Sequence, residues 1–452
     1  MMRARWLALL VASVSAGGFA CRSAVLPASK AEAPVAAPAI PPSSVAGAEP
    51  EEPPPRPLRR CFPNQPTWEE AAVADLLDRA GKLFDADDFE GALACSEEAA
   101  RQAPRSIEAH HDRAAALLHL GKTDEGRDAL AMALALDPDD TETLEASADL
   151  YINQLPASAD RSAIGLEHAR RAFRRALGHD RTRAARLSLL EGQALIDLGR
   201  SEEAVHRLSV ALSLAPKLDA AQYEKGVALF ELCRFGEARR AFEKVAASSS
   251  DRAHALYHLG LIEERQDRAR DAESHFSEAT ERDPIAFPRP PDVSAVEFAE
   301  RVRRIVGDLP EDVRADLAQA HLETADLPAL DDLIAEKPPL SPTILGLFRG
   351  LPIGFDGEAE NHTAPATRAA KGRRAANAAG APSPAPSGGE PSPAAPTQCG
   401  PIDRAIVLYR RNLLRSVRDT VALDEAIRRT LLHELGHLRG EDDGSLRDRG
   451  LE

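Results

Sequence analysis

At 452 residues the chain is too long for one compact core and divides into two or three domains. With 43% hydrophobic and 28% charged residues it can build folded domains, yet 34 prolines and 4% aromatics also point to long stretches without a core. A formal net charge of -16 argues against nucleic acid as a partner, because a phosphate backbone calls for a concentrated basic surface, and acidity otherwise speaks only for solubility.

The first residues, MMRARWLALLVASVSAGGFAC, set Arg3 and Arg5 ahead of an apolar run from Trp6 to Val14, then small residues up to Cys21. That pattern is a secretory signal, too short and wrongly flanked to span a membrane, and no later segment reaches spanning length. Residues 1–21 also resemble a bacterial lipoprotein signal, which makes Cys21 the lipidation site and its acyl chain a membrane anchor. Such signals usually carry Leu where this chain has Gly18, and Gly18 with Ala20 equally suits ordinary small-x-small cleavage. Both readings imply export; the lipidated one implies the cell envelope, on the periplasmic or outer-membrane face.

Residues 22–66 are Ala, Pro and Ser with scattered charges, a disordered linker that acts as a semi-extended spacer. The five cysteines are an odd number. Cys95 and Cys233 fall in helices far apart, whereas Cys61 and Cys399 both stand at the edges of low-complexity stretches. A Cys61–Cys399 disulfide is one pairing open to them in an oxidising compartment, although two thiols without a geometry do not establish a bond.

Prolines recur at Pro104, Pro138, Pro216 and Pro284, which fixes repeat starts at 73, 107, 141, 185, 219 and 253. Apart from the long third unit, the period is 34 residues, the signature of tetratricopeptide repeats. Position eight is small throughout (Ala80, Ala114, Ala148, Gly192, Gly226, Gly260), as is position twenty (Ala92, Gly126, Ala169, Ala204, Ala238, Ala272). Position twenty-four is large in all but the first unit (Leu130, Phe173, Leu208, Phe242, Phe276, against Ser96), and position twenty-seven is Ala or Val. Small residues let the two helices of a hairpin close up, and the large one is expected to fill the gap to the next hairpin. An ordinary helical bundle would not repeat so many positions six times. Resemblance to this family implies a groove for a protein partner or an extended peptide; the competing reading is a plain spacer or dimer surface.

Near the other end stands HELGHLRGEDD, residues 433–443. On a helix His433 and His437 share a face and can hold one metal ion, while Glu434 lies about 100° round and reaches a bound water. Ile427, Leu431, Leu435 and Leu438 give the helix an apolar stripe, Gly440 a stop, and the small Ala426 and Thr430 leave room for the metal. A catalytic zinc site needs a third protein ligand and an open position. Gly440 can turn the chain back so that Asp443 completes the set, with Glu441 and Asp442 as neighbouring alternatives.

From about Asp292 onward the pieces FAERVRRIVGDLPEDVRADL, ILGLFRGLPI, AIVLYRRNLL and TLLHELGHLRG occur in the order found in small bacterial zincin-like metallopeptidase domains, which this region resembles. Leu438 and Arg439 replace the family's His and Phe after the second histidine, and a Pro/Ala/Gly/Ser insertion at 356–401, carrying the basic cluster Lys371, Arg373 and Arg374, is expected to be a disordered loop. The resemblance implies zinc (Zn2+) as cofactor, hydrolysis of a protein or peptide substrate, Glu434 as catalytic base and acid, His433, His437 and Asp443 as metal ligands, and substrate lying along an edge strand near Thr343 to Arg349.

The expected fold class is mainly α: TPR-like helical repeats over 67–288 forming an α-solenoid, then a small α+β zincin-like domain over 289–452. Two functions compete. One is an exported, membrane-tethered zinc metallopeptidase whose repeats recruit a substrate or partner; the other is a non-catalytic scaffold of the cell envelope with a structural or inactive zincin-like domain.

Overall fold

The computed structural model describes Cys61 and residues 72–248, 252–354 and 404–451. The signal-like segment with Cys21, the linker apart from Cys61, Cys399 and the 356–401 insertion lie outside the described residues. In chain order the elements are α1 (Val73–Asp85), α2 (Phe89–Gln102), α3 (Ile107–His119), α4 (Thr123–Leu136), α5 (Thr141–Asp149), a π-helical turn (Leu150–Gln154), α6 (Ala159–Ala176), α7 (Arg181–Asp197), α8 (Ser201–Leu214), α9 (Asp219–Glu231), α10 (Phe235–Ser248), α11 (Arg252–Arg265) and α12 (Ala269–Arg282). There follow α13 (Ala295–Gly307), α14 (Glu311–Leu317), β1 (His321–Ala325), α15 (Leu330–Ala335), β2 (Gly346–Arg349), β3 (Ala405–Tyr409), α16 (Arg410–Arg415), α17 (Thr420–Leu438) and α18 (Asp443–Asp448). No described helix is long and apolar enough to cross a membrane.

The first compact unit runs to Arg289 and takes in Ala329–Pro342. Helices α1–α12 form six hairpins at the spacing read from the sequence, and the extra residues of the third repeat go into the π-helical turn and a longer α6. The large residue at position twenty-four lies first over position eight of its own hairpin. A Cβ on Gly192, Gly226 or Gly260 would stand 2.5, 2.6 or 2.7 Å from Leu208, Phe242 or Phe276. Glycine there is what lets a bulky side chain lock the pair together. Position fifteen, in the turn between the two helices, is left-handed at Asp87, Gly121, Gly199, Cys233 and Asp267. The following amide reaches back to close the first helix, as Arg200 N–H does to Leu195 O at 2.9 Å or less (2.8 Å) and Lys122 N–H to Leu117 O at 2.9 Å.

Cys61 pairs with Cys95, not with Cys399, at a Cα separation of 5.2 Å. Cys61 is fully buried in the core cluster of the first repeats with Leu76, Ala80 and Ala99, and Arg79 Nε donates to its carbonyl at 3.3 Å. The first repeat carries the buried Ser96 where the others carry a large side chain, so its core has space for a residue from upstream. Cys233 lies in the α9–α10 turn instead of a helix, half-buried, and burial pushes its thiol up to about 11. The segment Ala329–Pro342, expected in the second domain, lies with the repeats. Leu333 of α15 is fully buried, Cys233 Sγ stands 4.0 Å from Leu340 O, and Arg265 donates to Pro342 O.

The second unit comprises Pro290–Pro328 and the residues from Thr343 onward. Its sheet has the order β1-β3-β2. β1 runs parallel to β3 (His321 opposite Ala405) and β2 antiparallel to it (Gly346 opposite Leu408). β3, AIVLY, is buried along its whole length, as an apolar central strand must be. Ile406 joins a core with Leu309, Leu317, Leu431, Leu435 and Leu438, and Leu408 joins one with Phe298, Val302, Ile305, Leu423 and Ile427. The predicted stripe Ile427, Leu431, Leu435 and Leu438 is therefore the face that seats α17 on the sheet.

Candidate metal centre

α17 starts where Asp419 accepts from the amides of Val421 and Ala422, at 2.9 and 2.8 Å. It stops at Gly440, whose φ of 84° no branched residue adopts without cost. Glu441 N–H then reaches Gly436 O at 2.9 Å and Gly440 N–H reaches His437 O at 3.0 Å, which completes a Schellman termination. The reversal brings α18 back beside α17. Asp442 caps α18 by accepting from Ser445 N–H at 2.8 Å, and that bond holds its carboxyl below the usual carboxylate range. The Glu441 carboxylate is paired with Arg449. Of the three acids considered as a third donor, Asp443 is the one whose side chain meets the histidines.

His433 Nε2 and His437 Nε2 are 3.1 Å apart, and Asp443 Oδ1 lies 3.7 Å from the first and 3.3 Å from the second. Tetrahedral donors about 2.0–2.1 Å from a zinc ion are about 3.3 Å from one another, so the spacing fits such an ion. Among the described residues these three form the one His/Cys/Asp/Glu group able to hold a metal. Both Nδ1 atoms face backbone carbonyls, His433 toward Leu451 O and His437 toward Glu441 O, each at 3.1 Å. A ring that donates from Nδ1 presents its Nε2 lone pair, the form a metal ligand requires. His433 is buried, while His437 and Asp443 keep about a quarter of their side-chain surface in solvent (26% and 27%), which opens the cluster on one side.

Glu434 is buried with 4% of its surface exposed. Burial pushes its carboxyl up to about 7; the His437 charge and the Phe348 amide pull down, and Asp443 pushes up. Burial pulls His437 down, but the Asp443 hydrogen bond, the charges of Glu434 and Asp443 and the Glu441 carbonyl together leave it above its ordinary value. The glutamate thus sits between the cluster and strand β2. A Cβ on Gly346 would fall 2.8 Å from Glu434 Oε1 and 2.7 Å from Thr430 Cγ2, so β2 approaches α17 because this residue is glycine. Thr430 lies where the strand comes close to α17, and Ala426 packs in the core cluster that holds Phe298.

Sequence reasoning missed the supports. Gly436, inside the motif, gives Leu446 its place: a Cβ there would lie 2.2 Å from Leu446 Cδ2. A glycine in a helix interior carries a cost of about 1 kcal/mol, which is the signal that could have exposed a close approach. The two family departures are also accounted for. Leu438 is fully buried in the core, and Arg439 Nε pairs with Asp316 on α14 at 2.8 Å.

A model of the tetratricopeptide repeat family matches residues 77–141 and 223–285, and a model of the family described as Zincin-like metallopeptidase matches residues 386–451. One chain thus carries both TPR repeats and a zincin-like metallopeptidase domain. No curated protein matches. Among solved structures, Pseudomonas aeruginosa pilF is 15% identical with a TM-score of 0.41, covering 51% of this chain and 97% of its own. PilW, a type IV pilus biogenesis factor, is 18% identical with a TM-score of 0.42, covering 47% and 94%. YrrB, a TPR protein with an unusual peptide-binding site, is 17% identical with a TM-score of 0.34, covering 42% and 93%.

Proposed function

We propose that this chain is an exported, membrane-tethered zinc metallopeptidase whose repeats recruit a protein substrate or an envelope partner. The observation that carries the reading is the convergence of His433 Nε2, His437 Nε2 and Asp443 Oδ1 beside a buried Glu434 at an edge strand. His433, His437 and Asp443 would hold the cation. Bound there, a divalent cation supplies Lewis acidity toward a peptide carbonyl and a water molecule.

The rest is work for the chain itself. Glu434 takes the proton that the attacking water gives up and returns it to the leaving amine as the amide bond breaks. Tyr409 N–H donates to Leu345 O at 2.9 Å, so the backbone groups of Gly346 and the Phe348 carbonyl turn away from β3, toward the side where an extended peptide would pair. The Phe348 amide is engaged by Glu434, which ties the carboxylate's position to the strand that would present substrate.

Export is supported by the Cys61–Cys95 disulfide, a bond characteristic of oxidising compartments, together with the signal-like residues 1–21. Lipidation at Cys21 would hold the enzyme at a membrane and raise the local concentration of whatever its repeats bind. Palmitate labelling that disappears in Cys21→Ala tests the anchor. Metal analysis of wild type and His433→Ala, followed by digestion of a mixed peptide library by wild type and Glu434→Gln, tests the chemistry. The expected result is zinc and cleavage in wild type, neither in His433→Ala, and zinc without cleavage in Glu434→Gln. Zinc with no cleavage by wild type would favour the scaffold reading, and wild type without zinc would discard the metal site.

A further inference from the structure

Each histidine of the cluster gives its Nδ1 to the carbonyl of a residue that stands in the same place: second after a glycine-terminated helix's last cap residue. Glu441 holds that place after α17, where Gly440 has φ 84°; Leu451 holds it after α18, where Gly450 has φ 72°. The second termination repeats the first bond for bond. Leu451 N–H reaches Leu446 O at 3.0 Å and Gly450 N–H reaches Arg447 O at 2.9 Å. α18 is itself seated by Leu446, whose Cδ2 occupies the notch left by Gly436. One short helix therefore delivers two things together: Asp443 Oδ1 at its start and, past its end, the carbonyl that faces His433.

We propose that Gly450 is a positioning residue of the cation site. Its left-handed turn aims the Leu451 carbonyl at His433 Nδ1, and so fixes the tautomer that presents Nε2 to the ion. The inference rests on the metal-site reading but concerns a feature of the chain that exists without the metal. Gly450 is suited to a clean test, since nothing lies within 4 Å of where its Cβ would be. Substitution there changes the backbone preference and no contact. Asn tolerates the left-handed region, Ala tolerates it poorly, and the β-branched Val worst of all.

The experiment titrates cobalt into the metal-free full chain for wild type, Gly450→Asn, Gly450→Ala and Gly450→Val, and follows the ring nitrogens of 15N-labelled histidines in the same proteins before metal is added. Gly199→Val is the control. It places the same strain in the same kind of termination (φ 68°, nothing within 4 Å), but in a repeat. Loss of an outer hydrogen-bond partner typically weakens a metal site by about 10- to 100-fold. That loss is expected in Gly450→Val, a smaller one in Gly450→Ala, and affinity close to wild type in Gly450→Asn and Gly199→Val. In the metal-free proteins His433 should carry its proton on Nδ1 in wild type and Gly450→Asn and lose that preference in Gly450→Val; Gly450→Ala keeps the comparison available should Gly450→Val not fold. The proposal is overturned if Gly450→Val and Gly450→Ala keep both cobalt affinity and the Nδ1 proton, or if Gly199→Val weakens cobalt equally. A wild type that binds no cobalt would sink the metal-site reading and the proposal with it, whereas cobalt binding that is unchanged across the Gly450 variants sinks the proposal alone.

Discussion

The two compact units use glycine for the same physical purpose and with different consequences. In the repeats Gly226 yields its side-chain space to Phe242, and Gly192 and Gly260 do likewise for Leu208 and Phe276. In the second unit Gly436 yields to Leu446 and Gly346 to Thr430 and Glu434. The first set makes a core that is repeated and therefore redundant. The second is used once, to bring a carboxylate, a helix and a strand together at the candidate metal centre. An error in the array costs one hairpin some stability, whereas an error at Gly436 or Gly346 falls on the donors themselves.

That contrast breaks most visibly at Glu434. If the proposed function holds, Glu434→Gln should retain metal binding and lose peptide cleavage by about 10²- to 10⁴-fold, as initial rates on a library-derived peptide would measure, while the melting of the repeats is unmoved. The next effect belongs to the repeats alone. Cys95→Ala opens the loop closed across a sequence separation of 34, and should cost the first repeat about 2–4 kcal/mol, read as a thermal shift that reductant reproduces in wild type. Metal content should stay the same.

A pH effect of similar size comes from His258, which is buried, stacked on Phe242 and pushed down to about 4 mainly by burial. Its neutral form belongs to the folded state. As pH falls below the ordinary histidine value of 6.5 the unfolded chain takes up the proton first, so stability present above that value is lost progressively down to about pH 4. The loss should approach about 3 kcal/mol, and His258→Leu should flatten that part of the stability profile. Smallest are the glycines. Gly226→Ala and Gly436→Ala should each cost about 1–3 kcal/mol by overpacking, but only the second should weaken metal binding, and Leu446→Ala should relieve it in a double-mutant cycle. Equal metal affinities in the two glycine variants would erase the distinction drawn above.

The array was legible from sequence because a spacing repeated six times averages out local irregularity, so even the long third repeat left the register of α7 onward intact. His433, His437 and Glu434 were legible because helical geometry alone decides which residues four apart share a face. Asp443 needed only one more local element, the left-handed Gly440. What escaped was set by approach in three dimensions. No spacing announces that Cys61 fills the core beside Ser96, that Leu333 buries itself with the repeats, or that Thr430 is small for the sake of Gly346 in a strand some 80 residues away by number. Nor does any spacing announce that Leu438 and Arg439, where the family has His and Phe, serve the core and the pairing with Asp316.

The Cys61–Cys95 bridge also decides where a pull would be felt. Tension arriving along the chain from residues before Cys61 passes through the sulfur atoms into the middle of α2, and the stretch between the two cysteines, α1 included, stays slack. A moored protein joined this way would meet mechanical load on a covalent link, with its first helix spared from peeling.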